Sequence, residues 1–110
     1  MDRLHGDDTI AAVATSLGDG GLAVIRVSGP EAFAIADIVF RPANSQVGAP
    51  SAFPTHTVHY GYVIEAEQRV DEVLMTGMRA PRSFTREDVV ELSCHGGALV
   101  AQEVLRLTLK

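Results

Sequence analysis

Residues 56–78 read HTVHYGYVIEAEQRVDEVLMTGM, and this stretch sets the architecture. From 56 to 64 the side chains alternate, with Val58, Tyr60, Tyr62 and Ile64 on one side and Thr57, His59 and Gly61 on the other. Neighbouring strand residues point to opposite faces, so a period of two predicts a half-buried β-strand. Residues 65–69 are polar and read as a turn, and residues 70–78 return as the partner strand. A sheet is therefore the layer on which everything else must pack.

Upstream, residues 42–55 (PANSQVGAPSAFPT) hold three prolines among small polar residues and predict a long surface loop. Before them, Ala32, Ile35, Ala36 and Val39 recur at helical spacing. Ser28 and Glu31 fit a capping box for that helix, with Pro30 in its first turn. Residues 22–27 (LAVIRV) and 9–15 (TIAAVAT) predict two strands joined by Gly18-Asp19-Gly20-Gly21 as a hairpin turn. Downstream, residues 81–88 read as a loop in which Ser83 and Thr85 offer caps. Residues 89–94 (VVELSC) predict a fifth strand. His95-Gly96-Gly97 then turns into a second helix bearing Val100, Val104 and Leu107 on one face. That helix runs to Lys110 without a glycine, asparagine or proline stop, which predicts a chain cut from a longer protein.

A chain of 110 residues predicts one compact domain, and 46% hydrophobic residues supply a globular core. No apolar run reaches the ~20 residues of a membrane span. The acidic start MDRLHGDD has no apolar stretch, so it does not read as a secretory or transit signal. A lone cysteine, Cys94, forms no internal disulfide and suits a reducing cytoplasm. The net charge of −5, with nine dispersed Lys and Arg, argues against this segment being the main grip on a nucleic acid.

Three places could carry chemistry. Arg26 and Glu91 are each the sole charge in an apolar strand, which is costly unless they are paired or hydrogen-bonded. A structural ion pair between neighbouring strands explains them. So does a ligand site, in which the carboxylate accepts N–H bonds from an aminopyrimidinone edge and the guanidinium binds a carbonyl or carboxylate. Cys94-His95 suggests a thiol nucleophile. Adjacent strand residues face opposite ways, however, and a small core cysteine beside a glycine turn explains the motif better. The Gly-rich turn at 18–21 is not a phosphate loop, since no GxxxxGK[ST] occurs in the chain, and the four histidines and one cysteine show no metal-ligand spacing. The residues alone assign no catalytic group and no metal ligand.

Two blocks carry a resemblance. DTIAAVATSLGDGGLAVIRVSGPEAFAIAD (8–37) resembles the opening of the MnmE (TrmE) family, a DTI-A-ATP segment followed by a glycine-rich turn and a strand ending RxSG. VDEVLMTGMRAPRSFTREDVVELSCHGG (70–97) resembles its DEVL, SFTGEDVVE and HGG run. The resemblance implies an α+β fold with a mixed or antiparallel sheet, similar to the tetrahydrofolate-binding domain of the glycine-cleavage T-protein. It implies that residues 1–110 are an N-terminal domain that binds 5-formyltetrahydrofolate or methylenetetrahydrofolate and forms a homodimer. The family's helical and GTPase domains, with their GTP, magnesium and potassium, lie outside this stretch. With a flavin-dependent partner, such proteins modify the wobble uridine of certain tRNAs. Arg26 matches the arginine of RxSG and Glu91 the glutamate after EDVV, both folate contacts in the family. A third contact, a lysine, lies downstream, and Lys110 does not match it; the family's proposed catalytic cysteine lies near its far C-terminus, so Cys94 does not inherit that role. Ser16-Leu17 and Arg86 depart from the pattern. Arg86 stands where a glycine is usual and would resist a positive φ.

Overall fold

The computed structural model describes residues 8–14, 23–81, 87–95 and 97–109. The predicted turn at 18–21, the caps Ser83 and Thr85, and the departures at Ser16, Leu17 and Arg86 lie outside those residues. Within them the fold is α+β. Strands β1 (Ile10–Val13), β2 (Ala23–Ser28), β3 (Phe40–Pro42), β4 (Thr57–Glu65), β5 (Gln68–Met78) and β6 (Val89–Cys94) join helices α1 (Ala32–Val39) and α2 (Gly97–Thr108). One sheet runs β1-β2-β6-β5-β4-β3, with antiparallel pairing throughout. The last strand thus enters the middle of the sheet, between the first hairpin and the β4–β5 hairpin.

Alternation decides which side is core. Ile25, Leu92 and Met75 are register partners across β2, β6 and β5 and are fully buried. Val27, Val90, Cys94, Val73 and Val63 join them, and Ala32, Phe33, Ala36 and Val39 of α1 and Ala101, Val104 and Leu107 of α2 close the cluster. Both helices therefore cover one face. Each large aliphatic side chain buried there contributes roughly 1.5–3 kcal/mol. Arg106 bonds α2 to the end of β4, donating from Nη2 to both carboxylate oxygens of Glu65 at 3.1 and 3.0 Å.

Three expectations are corrected. The sheet has six strands, not about five, because part of the predicted 42–55 loop is ordered by packing. Pro42 ends edge strand β3, and Pro50 and Phe53 are buried. The Phe53 ring stacks on His59 at 3.7 Å and meets Phe40 edge-on at 6.5 Å. The proposed capping box does not form. Ser28 stays in β2 and its hydroxyl donates to Glu87, while α1 starts at Ala32 without a side-chain cap of its own. The Glu31 N–H is satisfied instead by Thr9 Oγ1, 2.8 Å away. Gly29, at φ 142°, lets the chain pass so closely that a Cβ would lie 2.6 Å from that same Oγ1. The β4–β5 turn is only Ala66-Glu67, both at positive φ, because the strands extend further than their polarity suggests. Alternation alone leaves open which β4 row is core: Val58, Tyr60 and Tyr62 sit on the face away from the helices, while Gly61 and Val63 face the core.

Candidate functional site

The face not covered by helices among the described residues carries both predicted site residues. β2 and β6 are register partners at Arg26 and Glu91, with Ala12 of β1 beyond Arg26 and Thr76 of β5 beyond Glu91. Arg26 Nε donates to Glu91 Oε2 at 2.7 Å and Nη2 lies 2.6 Å from the same oxygen. Oε1 and Nη1 take no part in this pair. An acceptor and a donor therefore sit side by side on one ion pair.

The two side chains are 41% and 23% exposed. The cost attributed to them from the sequence is thus lower than that of a core charge, because they satisfy one another and water reaches both. A partly exposed pair contributes only about 0–1 kcal/mol, so fold stability does not account for placing the two charges together.

Beside Arg26, between β1 and the residues leading into β6, lies a cleft of about 330 Å³. Ile10, Ala12, Val13 and Ala14 form its apolar wall, and Arg26, Ser28 and Glu87 its polar one. Ser28 is nearly buried and its Oγ donates to Glu87 Oε1 at 3.0 Å. Nothing in the sequence pattern singles out Glu87, since it precedes the strand and is placed at the cleft only by β6 pairing beside the end of β2.

The Cys94-His95 pair does not assemble. Cys94 is buried in the core, and loss of water, then the nearby Asp71 carboxylate, pushes its thiol from an ordinary 9.0 up to about 12. His95 is exposed; its N–H donates to Asp71 Oδ2 at 2.9 Å and its Nδ1 lies 3.1 Å from the Glu72 carbonyl. A thiolate at neutral pH is therefore suppressed. Iodoacetamide at pH 8 should leave Cys94 unmodified in the folded chain and label it in urea. A thiol pKa raised by folding holds its full stability below pH 9 and loses it as pH rises towards 12, at about 1.4 kcal/mol per unit. Urea titrations above pH 9 should show that slope flattened in Cys94→Ala; an unchanged slope would refute the assignment. Among the described residues no group of three or more potential metal ligands occurs, and no helix among them is long and apolar enough to cross a membrane.

Residues 9–110 match the family model described as GTP-binding protein TrmE N-terminus. The chain belongs to this family. It is 52% identical over 105 residues to a protein of Exiguobacterium sibiricum, 48% identical over 103 residues to one of Lachnoclostridium phytofermentans, and 43% identical over 105 residues to one of Bacillus subtilis. Each is named tRNA modification GTPase MnmE, and each match covers 94% of this chain and 22% of the relative. The chain thus corresponds to the N-terminal fifth of proteins several times its length. The TrmE N-terminus match contains the whole of the sheet and both helices, Arg26 and Glu91 included.

Proposed function

We propose that this TrmE-family domain binds a one-carbon tetrahydrofolate, 5-formyl- or methylenetetrahydrofolate, and dimerises, as part of a larger cytoplasmic GTPase. With a flavin-dependent partner, that protein modifies the wobble uridine of certain tRNAs. GTP, magnesium and potassium belong to a separate domain of that protein. One observation carries the folate reading. Arg26 and Glu91 present a donor and an acceptor on an uncovered sheet face, beside a cleft with one apolar wall.

The donor set fits a pterin ring. Its aminopyrimidinone edge offers N–H groups to a carboxylate and a carbonyl to a guanidinium, and its flat faces suit the Ile10 and Ala12 wall. The folate supplies the one-carbon unit, while Arg26 and Glu91 hold and orient the ring. Calorimetry on the complete protein carrying this domain should show saturable 5-formyltetrahydrofolate binding. Absence of heat and of competition at millimolar ligand would overturn the reading.

Dimerisation is supported by the same face. Val58, Tyr60 and Leu74 are 59%, 46% and 38% exposed there. Hydrogen bonding to Tyr62, then loss of water, then Glu72 pushes the Tyr60 hydroxyl up to about 12. A half-apolar sheet face suits a second copy of itself. Leu74→Asp in the complete protein should shift the dimer towards monomer in sedimentation velocity. A dimer unchanged at micromolar concentration would place the interface elsewhere.

A further inference from the structure

We infer that Thr76 is a third member of the ring site and sets its preference for a ligand edge that ends in an acceptor; this rests on the folate reading above. The register lays one row across the face opposite the helices: Ala12, Arg26, Glu91, Thr76 and Val58, on β1, β2, β6, β5 and β4. Three polar side chains lie together in that row, with an apolar residue at either end. Directly opposed residues on one face of an antiparallel sheet stand about 4.5–5.5 Å apart at Cβ, so Thr76 adjoins Glu91 on the side away from Arg26. Its chain neighbours Met75 and Gly77 are buried, and alternation leaves Thr76 half-buried on the ligand face. Glu91 gives Oε2 to two nitrogens of Arg26 and keeps Oε1 out of the pair. The Thr76 hydroxyl makes no hydrogen bond among the described residues. A donor, an acceptor and a second donor therefore follow one another along the row: Arg26 Nη1, Glu91 Oε1 and Thr76 Oγ1.

The edge of a pterin carries the complementary order. Its carbonyl oxygen accepts, its ring N3–H and 2-amino group donate, and its ring nitrogen N1 accepts. With the carbonyl at Arg26 and the N–H groups at Glu91, N1 meets Thr76, whose hydroxyl donates to it. The position calls for a neutral donor, since a lysine or arginine there would compete with Arg26 for Glu91. A ring with C–H in place of N1 leaves the hydroxyl facing a group that cannot accept, and so loses that bond. Thr76 therefore reads one atom of the ring, while Arg26 and Glu91 read the rest of its edge.

The test uses calorimetry on the complete protein with two probes: 5-formyltetrahydrofolate and its 1-deaza analogue, which has C–H in place of N1. Thr76→Val keeps the shape and strand preference of the side chain and removes its hydroxyl. It should weaken 5-formyltetrahydrofolate by about fivefold, the scale of one neutral hydrogen bond. The 1-deaza analogue should bind the unsubstituted protein about fivefold more weakly and lose nothing further in Thr76→Val. Thr76→Ser restores the hydroxyl and should bind 5-formyltetrahydrofolate within about twofold of the unsubstituted protein. Equal weakening of both probes by Thr76→Val would mark a general effect on the sheet face and overturn the inference. So would unchanged 5-formyltetrahydrofolate affinity in Thr76→Val, or Thr76→Ser binding as weakly as Thr76→Val. Failure of the unsubstituted protein to bind 5-formyltetrahydrofolate refutes the underlying reading instead, and is seen before any variant is made.

Discussion

Glu91→Ala in the complete protein removes measurable 5-formyltetrahydrofolate binding, with at least about a 100-fold loss by calorimetry, and leaves the fold nearly as stable as before. The carboxylate is held in place by two nitrogens of Arg26 on one oxygen, so its second oxygen is already oriented for a ligand. Hydrogen bonds to a charged group contribute roughly 1.5–3 kcal/mol each, and two lost together exceed a factor of 100 at about 1.4 kcal/mol per tenfold. Stability responds differently. The pair is partly exposed, water can hydrate the guanidinium left behind, and such pairs contribute about 0–1 kcal/mol. A structural pair predicts the reverse: altered denaturation with folate affinity intact. Measuring both on one variant separates the two readings that the sequence leaves open.

How far the sequence reveals this site depends on which physical signal each residue carries. Arg26 and Glu91 stand out because a charge interrupts an apolar strand, and period-two alternation puts both on the face opposite Ile25 and Leu92. Their pairing requires β6 to lie beside β2, a long-range choice no local pattern encodes. Glu87 carries no signal, because its place in the cleft wall goes with a bond to Ser28, 59 residues away. The same bond explains the failed capping box: the Ser28 hydroxyl goes to Glu87, and Thr9 satisfies the Glu31 N–H. The alternation in β4 gives the strand correctly but not its polarity. The bulky row faces outward because the core side at Gly61 has no room for it.

Gly61→Val should be strongly damaging, destabilising the chain by about 3 kcal/mol or more in urea denaturation. Gly61 pairs with Pro42 of edge strand β3 and faces the core beneath Phe40. A Cβ there collides with the Arg41 carbonyl oxygen and lies 2.6 Å from Phe40 Cζ and 2.8 Å from Pro42 Cα. Two of these three atoms are backbone, so no rotamer change relieves the clash; β3 must separate from β4 or β4 must bend. Overpacking typically costs 1–3 kcal/mol where side chains can move, and more where they cannot. The damage would spread, since Phe40 also holds the Phe53 ring that stacks on His59 and orders the proline-rich segment. Val58→Thr, one same-face step beyond the Tyr60 position and pointing outward at 59% exposure, is the matched control and should change stability by less than about 0.5 kcal/mol. Equal stability of Gly61→Val and the control would mean that β3 is not packed against β4 and that this edge strand contributes nothing to the fold.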